Sequence, residues 1–191
     1  HIAKPKKFNL AFRSPGWSRG EASPGNLYEF NNNTHPKALE VFVNNVKVNY
    51  ALENGYIVIN RMWKDNDQVQ FSFEMPIQQV VSNEKIDANK GRIALQRGPI
   101  MYCIEGADNN GMAWNFIVPA NTTFKELPYD VLTEHVMALQ GQVPLITLKD
   151  NQVLSSVQTI TAIPYYAWCN RGSNQMQVWY PTQIKDIKIN Y

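Results

Sequence analysis

Residues 163 to 181, IPYYAWCNRGSNQMQVWYP, hold three Tyr, two Trp, one Arg and one of the two cysteines. Two chemistries suit that mixture. Open faces of Tyr165, Tyr166 and Trp168 would stack on the C–H side of a sugar ring. Alternatively the rings are core, and Arg171 donates its planar fork to carboxylate or carbonyl groups that otherwise lack partners. A third reading is a protein interface, because buried contact centres are enriched in Tyr, Trp, Arg and Met. On a strand, Tyr166 and Trp168 face one way and Tyr165 and Ala167 the other, so both sides can be covered. NRGSN then reads as a turn, with Gly172 free to take positive φ, leading to a neighbouring strand around Val178. That spacing favours the scaffold; the carbohydrate platform and the interface stay open.

No other constellation supplies a reactive centre. General acid–base work needs two carboxylates with separated pKa values in a cleft, and the acidic residues are dispersed. Glu105 and Asp108 in CIEGAD follow an apolar strand, where carboxylates commonly satisfy a turn or an arginine. They are read with Arg61, Arg97 and Arg171 as clamps holding loops and strand ends. The histidines, His1, His35 and His135, show no metal-ligand spacing. Cys103 and Cys169 cannot complete a four-ligand zinc site alone. They are read as buried free thiols on strands, with a disulfide as the alternative in an oxidising compartment. There is no phosphate-binding glycine loop. The N-x-[ST] matches at Asn32 and Asn121 are of a kind frequent by chance.

The elements that position these residues have period two. FNLAF places Phe8, Leu10 and Phe12 on one side, and LEVFV does the same with Leu39, Val41 and Val43. In DQVQFSFEMP, Val69, Phe71, Phe73 and Met75 alternate with Gln70, Ser72 and Glu74. Turn signals such as SPGWSRG, VNNV, ENG and KDND separate the runs. GRIALQRGPIMYCIEG reads as two strands broken at Gly98–Pro99, and MAWNFIVP as a further candidate. TTFKELPYDVLTEHVMALQG is ambiguous, although Pro128 argues against a long helix. The pattern predicts an all-β chain of two antiparallel β-sandwich modules, jelly-roll or immunoglobulin-like. The polar stretch at residues 83 to 91 sets the join. The first module covers 1–85, with 182–191 as a candidate returning strand, and the second covers 86–181.

Lys plus Arg total 18 against 16 acidic residues, a net charge of +2, which fits neither a nucleic-acid partner nor a membrane surface. No stretch approaches the roughly 18 apolar residues of a membrane span. The sequence opens HIAKPKKFNL without Met and reads as a fragment cut from a longer chain. The compartment stays open, periplasmic or cytoplasmic.

Four stretches in order, FNLAFRSPGWS, GYIVINRMWKDNDQVQFSFEMP, GRIALQRGPIMYCIEGAD and IPYYAWCNRGSNQMQVW, resemble the C-terminal part of glycoside hydrolase family 127, the β-L-arabinofuranosidases. The resemblance covers nearly the whole chain. Ser14 stands where the family usually has an aliphatic residue, and Asn45 and Asn66 stand where it often has Gly. Asn tolerates positive φ, so both turns can survive. The resemblance implies an N-terminal (α/α)6 barrel carrying a cysteine nucleophile, a glutamate acid/base and a zinc held by Cys and Glu, all upstream of these residues. Cys103 and Cys169 match none of those motifs, so no cofactor and no catalytic residue is expected in this segment. It implies a non-catalytic pair of β-sandwich modules that packs on its own barrel and supplies a candidate homodimer contact, with carbohydrate reached through the parent enzyme. The alternative is a carbohydrate-binding module presenting exposed aromatics; an adhesin-like surface module is a further competitor.

Overall fold

The computed structural model describes residues 1–31, 37–131 and 134–187. The described elements are strands and short 3-10 turns, so the chain is all-β. None is a helix long and apolar enough to cross a membrane. The chain divides into two compact units, one of His1–Pro24 and Thr34–Pro76, the other of Gly25–Asn33 and Ile77–Tyr191.

The first unit is built from β1 (Lys6–Arg13), β3 (Val41–Val43), β4 (Val46–Val48), β5 (Ala51–Glu53), β6 (Tyr56–Trp63) and β7 (Val69–Phe71); β2 (Tyr28–Phe30) belongs to the second. Two three-stranded antiparallel sheets form, β1-β6-β5 and β4-β3-β7. Alternation sends Ile57, Ile59 and Trp63 of β6 into one core with Val41 and Val43 of β3, and Phe8, Leu10 and Phe12 pack beside them. Asn44 and Asn45 both take positive φ in the two-residue β3–β4 turn, and Asn54 and Gly55 do so between β5 and β6. Asn66 is also left-handed, at φ 64°. Here Asp67 accepts from the Lys64 N–H and the Asn44 amide, which hold its carboxyl below the usual carboxylate range. The run expected to extend to Met75 pairs only over Val69–Phe71.

The second unit carries β8 (Ile77–Ser82), β9 (Arg92–Arg97), β10 (Ile100–Glu105), β11 (Phe124–Val131), β12 (Glu134–Lys149), β13 (Gln152–Pro164), β14 (Met176–Gln177) and β15 (Tyr180–Pro181). The main sheet runs β11-β12-β13-β10-β9-β8-β2, with β14 on β10 and β15 on β9. Residues 77 to 82 thus belong to the second unit by pairing with β9, whereas the composition alone sets the join at the polar residues 83 to 91 that follow.

Around β10 both faces of this sheet are covered. Tyr102 and Ile104 point into one cluster with Leu139, Ile160 and Tyr180; Cys103, between them, points into another with Val131, Val136 and Ile163. The ambiguous stretch is an antiparallel hairpin, β11 with β12. Pro128 lies in β11, the outer strand, where a missing N–H costs no ladder bond. MAWNFIVP makes a single bridge, Phe116 with Leu145, rather than a strand. The expected returning strand over 182–191 begins instead as a 3-10 turn, Ile184–Asp186, held by Arg92 donating to the Asp186 carbonyl at 2.9 Å; residues 188–191 lie outside the described residues.

Candidate functional site

Glu105 ends β10 at the rim of the second unit, and Asp108 follows in the 3-10 turn Gly106–Asp108. The chain approaches itself closely here: a Cβ at Gly106 would lie 2.9 Å from the Gly111 backbone, so only glycine fits. Asn109 fixes the loop from below, donating to the carbonyls of Glu105 and Thr161 and accepting from the Thr161 N–H.

Across this loop lies the turn after residue 164. The strand spacing predicted for Tyr165 to Trp168 does not apply, because β13 ends at Pro164 and Tyr165–Ala167 is a 3-10 turn. Tyr165 and Tyr166 are both exposed, at 45% and 66%, and Trp168 is half-buried with its ring 6.0 Å from that of Tyr165. Val178 lies just beyond a strand of only two residues, β14.

Arg171 turns inward. Its Nη1 donates to Asp108 Oδ1 at 2.6 Å, and its Nη2 donates to Asp108 Oδ2 at 2.5 Å and to Glu105 Oε2. The carboxylate side chains are 0% and 1% exposed, and the guanidinium side chain 18%. Three further donors reach the same carboxylates. The Tyr129 hydroxyl donates to Asp108 Oδ1 at 2.8 Å, the Asn174 amide to Glu105 Oε1 at 2.9 Å, and the Cys169 N–H to the same oxygen at 3.4 Å. Burial, together with the hydrogen bond that Tyr129 gives Asp108, pushes its hydroxyl pKa up. The two carboxylates hold the guanidinium firmly in its charged form. Both terminal nitrogens of the guanidinium and both carboxylates are engaged with one another, while the buried Arg171 Nε has no partner, so the chemistry of the cluster is cohesion between the 105–109 and 168–174 loops.

The other arginines lie elsewhere. Arg97 pairs with Glu126 at 2.8 Å, not with Glu105 or Asp108. Arg61 sits 4.0 Å from Asp67 and stacks over the Trp63 ring at 5.1 Å. The sequence places Arg61, Arg97 and Arg171 beside apolar strands but cannot name their acids, which are 6, 29 and 63 or 66 residues away. Asn109, Tyr129 and Asn174 escape sequence reasoning. Asn109 and Asn174 lie in loops that carry no period, Tyr129 lies on β11 in the stretch whose sequence is ambiguous, and only the folded chain shows what they bond.

Cys103 and Cys169 are both free. Cys103 is buried on β10, and burial pushes its thiol pKa up to about 12. Cys169, expected on a strand in the interior, is exposed in the turn at φ 70°. Treatment of the native chain with an aromatic disulfide reagent at neutral pH therefore modifies Cys169 rapidly and Cys103 only after denaturation. Two rapid thiols in the native state would contradict this burial. Among the described residues no group of three or more His, Cys, Asp or Glu side chains is placed to hold a metal ion. The Cys–Glu zinc set implied by the resemblance does not fit these residues.

Residues 77–181 match the model of the glycoside hydrolase family 127 C-terminal domain, and residues 1–75 that of the β-L-arabinofuranosidase GH127 middle domain. The chain is 24% identical over 192 residues to the non-reducing end β-L-arabinofuranosidase of Bifidobacterium longum subsp. longum, covering 93% of itself and 26% of that protein. A GH127 β-arabinofuranosidase of known structure superposes with a TM-score of 0.90 at 32% identity, over 97% of this chain and 29% of that one. The Geobacillus stearothermophilus T6 GH127 β-L-arabinofuranosidase gives 0.75 at 30% identity, over 94% and 27%. The chain thus spans between a quarter and a third of the length of these relatives.

Proposed function

The chain belongs to glycoside hydrolase family 127, and from that premise we propose that it is the non-catalytic β-sandwich part of a β-L-arabinofuranosidase-like enzyme. On this reading it packs on a catalytic (α/α)6 barrel. That barrel carries the nucleophile, the acid/base and the zinc, and the parent reaction is hydrolysis of an arabinofuranoside. The supporting observation is the internal use of Arg171, Glu105 and Asp108. They are the segment's most suggestive charged groups, and they pair with one another out of solvent. With side chains 0% and 1% exposed, neither carboxylate faces solvent where a substrate would lie. Arg97 and Arg61 serve as lesser clamps on strand ends.

One observation favours a second reading, a carbohydrate-binding module: the Tyr165–Tyr166 pair stands open to solvent. Calorimetric titration of the chain with arabinofuranosides and arabino-oligosaccharides separates the two. The scaffold reading expects no heat of binding, and no sugar released from a chromogenic β-L-arabinofuranoside. A micromolar saccharide lost on Tyr166→Ala would establish the module instead.

A further inference from the structure

A cleft of about 680 Å³ opens in the second unit, where residues 176–179 meet the 3-10 turns Asp87–Asn89 and Ile184–Asp186. Two indoles line it, and both are fixed. Trp114 is 39% exposed, and its Nε1–H donates to the Met176 carbonyl at 3.0 Å. Trp179 stacks on Tyr28, with ring centroids 5.7 Å apart. The Trp179 carbonyl accepts from Arg92 Nη1 at 3.0 Å and from the Gln177 amide nitrogen at 2.8 Å. Gln177 Oε1, shielded from solvent, then has no partner among the described residues. Shielded polar atoms are almost always paired, so a bare acceptor on a cleft-lining side chain marks a place for a donor from outside. The charges are unbalanced as well. Lys90 pairs with Asp87 at 2.5 Å, but Arg92 and the exposed Lys185 have no carboxylate partner among the described residues. Arg92 spends its fork on the carbonyls of Trp179 and Asp186. The Asp186 carboxylate lies against Gly91, where an added Cβ would be 2.6 Å from Oδ2 and 2.9 Å from Oδ1.

We propose that this cleft binds a hexuronic acid unit of an acidic saccharide. A cleft with an apolar wall and a few convergent polar groups is the usual form of a small-molecule site, and here each group selects one property of the ligand. The exposed Trp114 ring takes the C–H side of a pyranose. Gln177 Oε1 accepts from a ring hydroxyl. Lys185 donates to the ring carboxylate, with the positive Arg92 in the same lining. A purely aromatic ligand would leave the acceptor and the cations unused, a bare phosphate would leave the indole, and a neutral sugar would leave the cations. The inference rests on this cleft and not on the family reading. Neutral arabino-oligosaccharides lack the acid, so no heat is expected of them here either.

Calorimetric titration of the full chain at low ionic strength tests it, with trimers of galacturonate, glucuronate and mannuronate against neutral galactotriose and sodium acetate. At least one uronate trimer is expected to bind and to quench tryptophan fluorescence, with galactotriose weaker by roughly tenfold or more and acetate silent. Trp114→Ala weakens the uronate by roughly tenfold or more. Lys185→Glu, at an exposed position, weakens it by roughly tenfold while circular dichroism stays that of the parent, and it decides the matter if Trp114→Ala does not fold. Tyr166→Ala leaves uronate binding unchanged, which separates this cleft from the open tyrosine pair. No heat from any uronate trimer, equal binding of galactotriose, heat from acetate alone, binding that Lys185→Glu leaves intact, or binding lost in Tyr166→Ala would overturn the proposal.

Discussion

Arg171→Ala lowers the melting temperature of the chain by roughly 10 °C. The magnitude comes from what the substitution leaves behind. Breaking a buried pair by removing one partner costs about 3–5 kcal/mol, because the remaining charge is neither solvated nor compensated. For a chain of this size, 1 kcal/mol shifts the midpoint by about 2–4 °C. Here two carboxylates are stranded, with side chains 0% and 1% exposed. Asn174, Tyr129 and the Cys169 N–H still donate to them, but none brings charge. Arg171→Lys keeps the charge, loses the fork that reaches both acids, and falls between parent and alanine. Adding Glu105→Gln and Asp108→Asn to the alanine variant removes the stranded carboxylates and recovers part of the loss, a coupling that additive effects would not produce. Arg97→Ala is the contrast. Its partner Glu126 is 39% exposed, so water compensates and the cost is about 1 kcal/mol. Should Arg171→Ala melt like the parent, the cluster is not a clamp.

What the sequence reveals and what it hides divide along the range of the interactions. Period two is local, so the strands β1, β6, β9 and β10 and the two Asn turns at 44–45 and 54–55 can be read directly. Pro128 is legible once strand order is known, but strand order is long-range information. The 142–159 hairpin is harder. Its turn, Asp150–Asn151 with φ of 50° and 59°, lacks the glycine that usually marks a two-residue connection. Tyr165 and Tyr166 fail for another reason. Their alternation is correct for a strand, but the strand has ended at Pro164, and a turn leaves both rings open. In the cluster, the residue types were visible at Glu105, Asp108 and Arg171. Their mutual pairing depends on loops that meet only after folding.

Trp63→Ala removes the structure of the first unit while the second keeps its own. Trp63 ends β6 with 2% exposure, its ring 5.9 Å from that of Phe8 and under the Arg61 guanidinium, and its Nε1–H donates to the Phe8 carbonyl at 3.1 Å. It therefore joins β6 to β1 by packing and by hydrogen bonding at once. A buried Trp replaced by Ala costs about 3–5 kcal/mol. A single core in a unit of about 70 residues rarely supplies more than about 3–5 kcal/mol in total. The loss therefore equals the whole margin. Among the described residues, the buried clusters of the second unit contain no residue of this core, so the cavity opens outside them. Hydrogen exchange reads the outcome strand by strand: amides of β1, β3 and β6 lose protection, and those of β9, β10 and β13 retain it. Trp63→Phe keeps most of the ring and leaves only the Phe8 carbonyl unpaired, so it is expected to weaken the first unit without unfolding it. Simultaneous loss of protection in both units would mean that they stand or fall together. Full protection in the alanine variant would mean that the five buried residues of this core do not depend on their largest member.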